Sequence, residues 1–83
     1  MLVMEINLND IPEEVVLLTG LEDAIIGITE EFGGVNRVIY SKNKIIEIFK
    51  KRDGMTEEES FEFYDYNVLG LYVSEQNPIF LID

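Results

Sequence analysis

Carboxylates and aromatic rings are the side chains with chemical reach in this sequence, and they crowd into GMTEEESFEFYDYNVLGLYV, residues 54–73. Two converging carboxylates can act as acid and base, as in glycosidases, or hold Mg²⁺. The pairs and runs available are Glu22 with Asp23, Glu30 with Glu31, and Glu57, Glu58 and Glu59. Adjacent acids on a strand point to opposite faces, and acids in the first turn of a helix are already used by the cap and the helix dipole. A solvated acidic surface accounts for all three groups, so neither a catalytic pair nor a metal site is expected. The chain has no histidine and no cysteine, which removes serine/histidine and cysteine/histidine nucleophiles. Calcium-loop and glycine-rich phosphate-loop patterns are absent as well. The expectation is binding without catalysis and without a cofactor.

The same stretch offers recognition chemistry. On a helical projection Phe61, Tyr64, Val68 and Leu71 fall on one face and form the expected core stripe. Phe63, Tyr66 and Leu69 lie off that stripe, which makes the helix apolar on more than one side. Two accounts fit: the second face packs under the amino-terminal arm, or it is a homodimer or target interface rimmed by Glu59, Glu62 and Asp65. Aromatic anchors inside a charged rim are the recurrent anatomy of such interfaces. Asn67 interrupts the apolar pattern, and a buried asparagine needs several hydrogen-bond partners. A structural tether to the SEQNP segment, 74–78, is preferred for it over contact with a ligand. Tyr64 and Tyr72 read as core residues whose hydroxyl tips reach water.

These residues need a frame. Ser41 is an N-cap for KNKIIEIFKKRDG, in which Ile45, Ile46 and Phe49 form an apolar stripe and Lys50, Lys51 and Arg52 face the negative end of the dipole. Gly54 is expected to close that helix in the left-handed conformation. Thr56 and Glu59 spell a capping box for the next helix, so the region reads as an αα-hairpin. Upstream, LEDAIIGITEEF and VNRVIYS read as strands joined at Gly33 and Gly34. Alternation places Ala24, Ile26 and Ile28 on one side and Ile25 with Gly27 on the other. Gly27 inside a strand predicts a bulge or a helix crossing close by. EEVVLLTG fits a buried strand or a helical turn, LVMEINL fits a strand or an arm, and NDIP fits a turn built on Asn9, Asp10 and Pro12. A last strand is expected to begin after Pro78. Together these predict one α+β domain over 1–83, with a small antiparallel sheet, made of the central hairpin and the carboxy-terminal strand with the amino-terminal strand as a further candidate, packed against the αα-hairpin.

Eighty-three residues support a single small core, and the 47% apolar content argues for a folded chain despite a net charge of −11. No disulfide or zinc cluster can staple it, so a partner subunit is an expected source of stability. All six basic residues, Arg37, Lys42, Lys44, Lys50, Lys51 and Arg52, fall in a window whose only acid is Glu47. The remaining surface is acidic and repels phosphate backbones and anionic lipid while attracting cationic proteins. Direct nucleic-acid binding and membrane binding are therefore not expected. No stretch reads as a membrane span or a signal peptide, which makes the cytoplasm the expected location.

The segments DAIIGI (23–28), RVIYSKNKIIEIFKK (37–51), DGMTEEESFEFYDYN (53–67) and GLYVSEQNPIF (70–80) together resemble a group of small acidic proteins encoded by bacteriophages and related mobile elements. The matching positions are Gly54, Met55, Thr56, Glu58, Tyr66, Asn67, Gly70, Tyr72, Val73, Glu75 and Pro78. Ser74 and Asn77 depart from the glycine and threonine usual in that group. The resemblance implies a viral or prophage source and a compact α+β fold, and it brings no activity with it. Combined with the charge pattern, it leads to the expectation of a protein that binds a host protein, either modulating it or inhibiting a DNA-handling enzyme with carboxylates in place of phosphates. The alternative is a homo-oligomeric accessory protein whose acidity keeps it in solution.

Overall fold

Ser41 closes a strand and opens a helix, and the chain on both sides is organised around it. A computed structural model describes the backbone at 3–4 and residues 15–71 and 76–83. The expected NDIP turn, most of the amino-terminal arm, the Tyr72 hydroxyl and the loop at Ser74 lie outside the described residues.

The elements in order are β1 (Val3–Met4), β2 (Leu17–Leu18), a 3-10 turn (Glu22–Ala24), β3 (Ile25–Ile28), β4 (Val38–Ser41), α1 (Lys42–Arg52), α2 (Glu57–Phe63), a π-helix (Tyr64–Leu69) and β5 (Ile79–Leu81). The fold is α+β, as expected. Strands β3 and β4 form the predicted antiparallel hairpin. Its loop closes at Thr29 and Arg37, where the Thr29 amide donates to the Arg37 carbonyl at 2.8 Å and the Arg37 amide donates to Thr29 Oγ1 at 2.9 Å. The predicted irregularity at Gly27 is present as a register shift between Ile25 and Gly27. Among the described residues no helix crosses there, and a methyl at Gly27 would meet Ile39 Cδ1 at an ordinary 3.8 Å.

Three expectations need correction. The carboxy-terminal strand joins the sheet, but β5 runs parallel to β4, with Tyr40 opposite Phe80, so the sheet is mixed. A parallel neighbour requires a long crossover, and the two-helix segment between β4 and β5 supplies one. Strand β1 pairs with β2 in a separate two-stranded sheet and does not extend the main one. The alternation read for 24–28 also breaks: it places Ala24 and Ile26 on one side, but Ala24 is buried and Ile26 exposed, while Ile25 packs against the core. Ala24 sits in the 3-10 turn, and the bulge breaks the period of two.

The core gathers Leu17, Leu18 and Leu21 from the first half, Val38 and Tyr40 from β4, Ile45, Ile46 and Phe49 from α1, and Tyr64 and Val68 from the π-helix. Aromatic rings tie these layers: Tyr40 stacks on Phe80, Tyr64 meets Phe80 edge-on, and Phe49 meets Phe63 edge-on at 5.1 Å between centroids. The helix punctuation follows the sequence. Ser41 Oγ accepts from the Lys44 amide, Gly54 adopts φ 68°, and Thr56 and Glu59 form the reciprocal capping box. Pro78 is buried and directly precedes β5.

One cap was not readable from neighbours in sequence. The Asp83 carboxylate accepts from the Ser41 hydroxyl and from the Asn43 amide, tying the chain after β5 to the start of α1. The Ser41 hydrogen bond, followed by the Asn43 amide, holds the Asp83 carboxyl below its usual range. A carboxyl depressed in the folded state stabilises the fold above its unfolded pKa and loses that contribution as pH falls through the folded pKa. Asp83→Asn is therefore expected to lower the urea midpoint at neutral pH, and the gap from the native chain should close on acidification. An equal gap at every pH would contradict this role.

Candidate functional site

The turn between α1 and α2 builds a groove. At the end of α1 the amides of Asp53 and Met55 both donate to the Phe49 carbonyl at 3.2 Å, and the left-handed Gly54 between them reverses the chain. The capping box then launches α2 with Glu57, Glu58 and Glu59 in its first turn. The result is an open groove of about 580 Å³ lined by Asp53, Met55, Glu59, Glu62, Phe63 and Tyr66, with Gly54 and Asn67 at its margins.

Residues at i, i+3, i+4 and i+7 share a helix face, and Glu59, Glu62, Phe63 and Tyr66 stand at those intervals. Phe63 is half-buried and packs on the core through Phe49. Tyr66 is 81% exposed. The groove therefore has an apolar floor, an aromatic wall open to solvent and a carboxylate rim. Of the residues expected at an interface, Glu59, Glu62, Phe63 and Tyr66 come together here. Leu69 is 53% exposed but does not line the groove, and Asp65 lies exposed outside it.

Of the expected core stripe, Tyr64 and Val68 are buried and Leu71 packs against the core, and Phe61 is the exception. Phe61 is 40% exposed, and the inward place belongs to Ser60, whose hydroxyl donates to the Thr56 carbonyl at 2.9 Å. Buried positions then run Ser60, Tyr64 and Val68, at intervals of four. Phe61 instead lies under the Lys42 ammonium, which sits 5.5 Å from its ring centre and 5.1 Å from that of Tyr64. Burial raises the Tyr64 phenol above its ordinary value. Asn67 is exposed, where a buried tether to 74–78 was expected. A tether of the opposite sense exists: Asn77 Nδ2 donates to the Leu71 carbonyl at 2.6 Å.

The basic residues are largely engaged by their own chain. Lys50 approaches Glu47 and Glu57, Lys51 approaches Glu47, and Arg52 forms two hydrogen bonds with Asp53 while donating to the Gly20 carbonyl at 2.6 Å. That contact holds the Asp53 carboxyl below its usual range and the Arg52 guanidinium above its own. Among the described residues, no ion pair involves Glu59, Glu62 or Asp65. Glu59 Oε1 accepts from the Thr56 amide in the capping box, whereas Glu62 has no such duty. The rim thus keeps negative charge that the molecule does not neutralise internally.

Sequence reasoning passed over other exposed apolar residues: Phe32 at the hairpin tip, Leu81 at the end of β5 and Ile82 after it. Phe32 stands next to the glycine turn and reads as a strand end, and no periodic pattern marks any of the three as exposed. Among the described residues no cluster of three or more acids is placed to hold a metal ion, and no helix is long and apolar enough to cross a membrane. No protein-family model matches the chain, and no curated protein or solved structure does so.

Proposed function

We propose that this chain binds a positively charged protein partner, docking it in the groove at the α1–α2 turn. The observation that carries this reading is the combination of a solvent-open tyrosine with Glu62, a carboxylate that no ion pair among the described residues engages. Complementary charge speeds encounter and selects partners, while an aromatic anchor supplies contact area. The likeness to phage-encoded proteins makes a host nucleic-acid-handling protein a fitting partner, since a surface built for phosphates would meet carboxylates. The work of the domain is then occupancy of that surface, with no bond made or broken.

A chain of net charge −11 attracts any polycation, so the test must hold charge constant. The groove variant Glu62→Gln/Tyr66→Ala and the hairpin variant Glu30→Gln each remove one acid. In pull-downs from host lysate, proteins captured by the native chain should be retained by the hairpin variant, lost by the groove variant and released steeply by added salt. Equal capture by the two variants would overturn the reading.

A further inference from the structure

We propose that the group the groove receives is an arginine side chain of the partner, stacked on Tyr66 and paired with Glu62; this rests on the protein-binding reading above. Three features of the site bear on the choice of cation. Glu62 and Tyr66 are four residues apart and line the same groove, so a carboxylate stands beside an exposed phenol ring. Met55 and Phe63 provide an apolar floor, which suits the methylene stem of a long basic side chain. Arg52 pairs with Asp53 at the edge of the groove and Lys42 sits over Phe61 and Tyr64, and among the described residues no cation pairs with Glu62.

The Lys42 contact is informative. One face of the α2 segment already holds a cation against aromatic rings, and the cation there comes from the chain itself. The groove face offers an exposed ring with a carboxylate beside it, and among the described residues no ion pair engages that carboxylate, Glu62. A guanidinium satisfies such a site better than an ammonium. It is planar, so it lies flat on a tyrosine ring, and its fork of donors can grip both oxygens of a carboxylate at the same time. An ammonium is a more strongly hydrated point charge that gains less from the ring. Charge alone would accept either cation, and the position of Tyr66 gives the preference.

The experiment compares capped tri-arginine and tri-lysine peptides of equal charge, titrated into the full chain at low salt by calorimetry. The arginine peptide should bind about fivefold more tightly, the scale of an exposed cation–π contact. Tyr66→Ala should erase that preference while leaving weaker binding of both peptides, and Glu62→Gln should weaken both. Tyr66 is exposed, so an unchanged circular dichroism spectrum is expected for its variant. Equal affinity of the native chain for the two peptides, with both weakened by Glu62→Gln, would overturn the arginine assignment and leave a cation-binding groove standing. Binding of either peptide that ignores both substitutions would overturn the assignment and the groove together.

Discussion

Phe49→Ala should lower the stability of this domain by about 3–5 kcal/mol, the usual cost of removing a buried phenylalanine. The ring is 1% exposed and sits where α1 meets α2. It belongs to the inward stripe of α1, it meets Phe63 edge-on, and its own carbonyl accepts the two amides that close the helix. A small domain without disulfides has a total stability near the lower end of about 5–15 kcal/mol, so a loss of this size leaves little folded protein. Urea denaturation followed by circular dichroism would show the midpoint moved close to zero denaturant. The groove depends on the same ring, because Phe63 rests against it. A drop of under about 1 kcal/mol, small against the usual range for such a truncation, would mean that the helices pack by some other contact.

Tyr40→Phe should cost about 1–3 kcal/mol, although it deletes a single oxygen. Tyr40 is fully buried, and its hydroxyl accepts from the Leu18 amide at 2.8 Å across 22 positions of sequence. The substitution keeps the ring and its stacking on Phe80 while leaving a buried amide without that acceptor. Burial raises the Tyr40 phenol above its ordinary pKa, ahead of the opposing effect of the Leu18 amide. A raised phenol pKa favours the fold while the group is neutral, and this contribution is lost as pH rises through the folded pKa. Hydrogen exchange gives the direct readout: the Leu18 amide should lose protection selectively in the variant. Unchanged exchange at Leu18 would contradict the bond.

Both residues show what sequence reading reaches and what it misses. Phe49 is legible because helix periodicity and flanking caps are local: Ser41, Gly54, Thr56 and Glu59 act within a few residues of themselves. The β3–β4 hairpin and its bulge at Gly27 are legible for the same reason. The Tyr40 bond is not, because its partner is set by how two distant strands pack. The direction of β5 is likewise decided by the path of the crossover, which no single segment encodes.

The groove sits between these cases. Its carboxylates and its tyrosine could be selected from composition and helical spacing, and Glu59, Glu62, Phe63 and Tyr66 do line one site. Its boundaries could not be read, because they depend on how the α1–α2 turn is set against the helix that follows it. Ser60 takes the inward place read for Phe61, and Leu69 lies off the groove. The lack of a counter-ion for Glu62 is also a tertiary fact, since it depends on where Lys50 and Arg52 find their partners.

The central claim is that cations bind at one place on a surface that is acidic almost everywhere. Backbone amide shifts recorded during the tri-arginine titration test it most directly. The largest changes should cluster at residues 53–67, with the hairpin acids Glu30 and Glu31 little affected. Changes spread evenly over the acidic surface, or greatest at the hairpin, would contradict it.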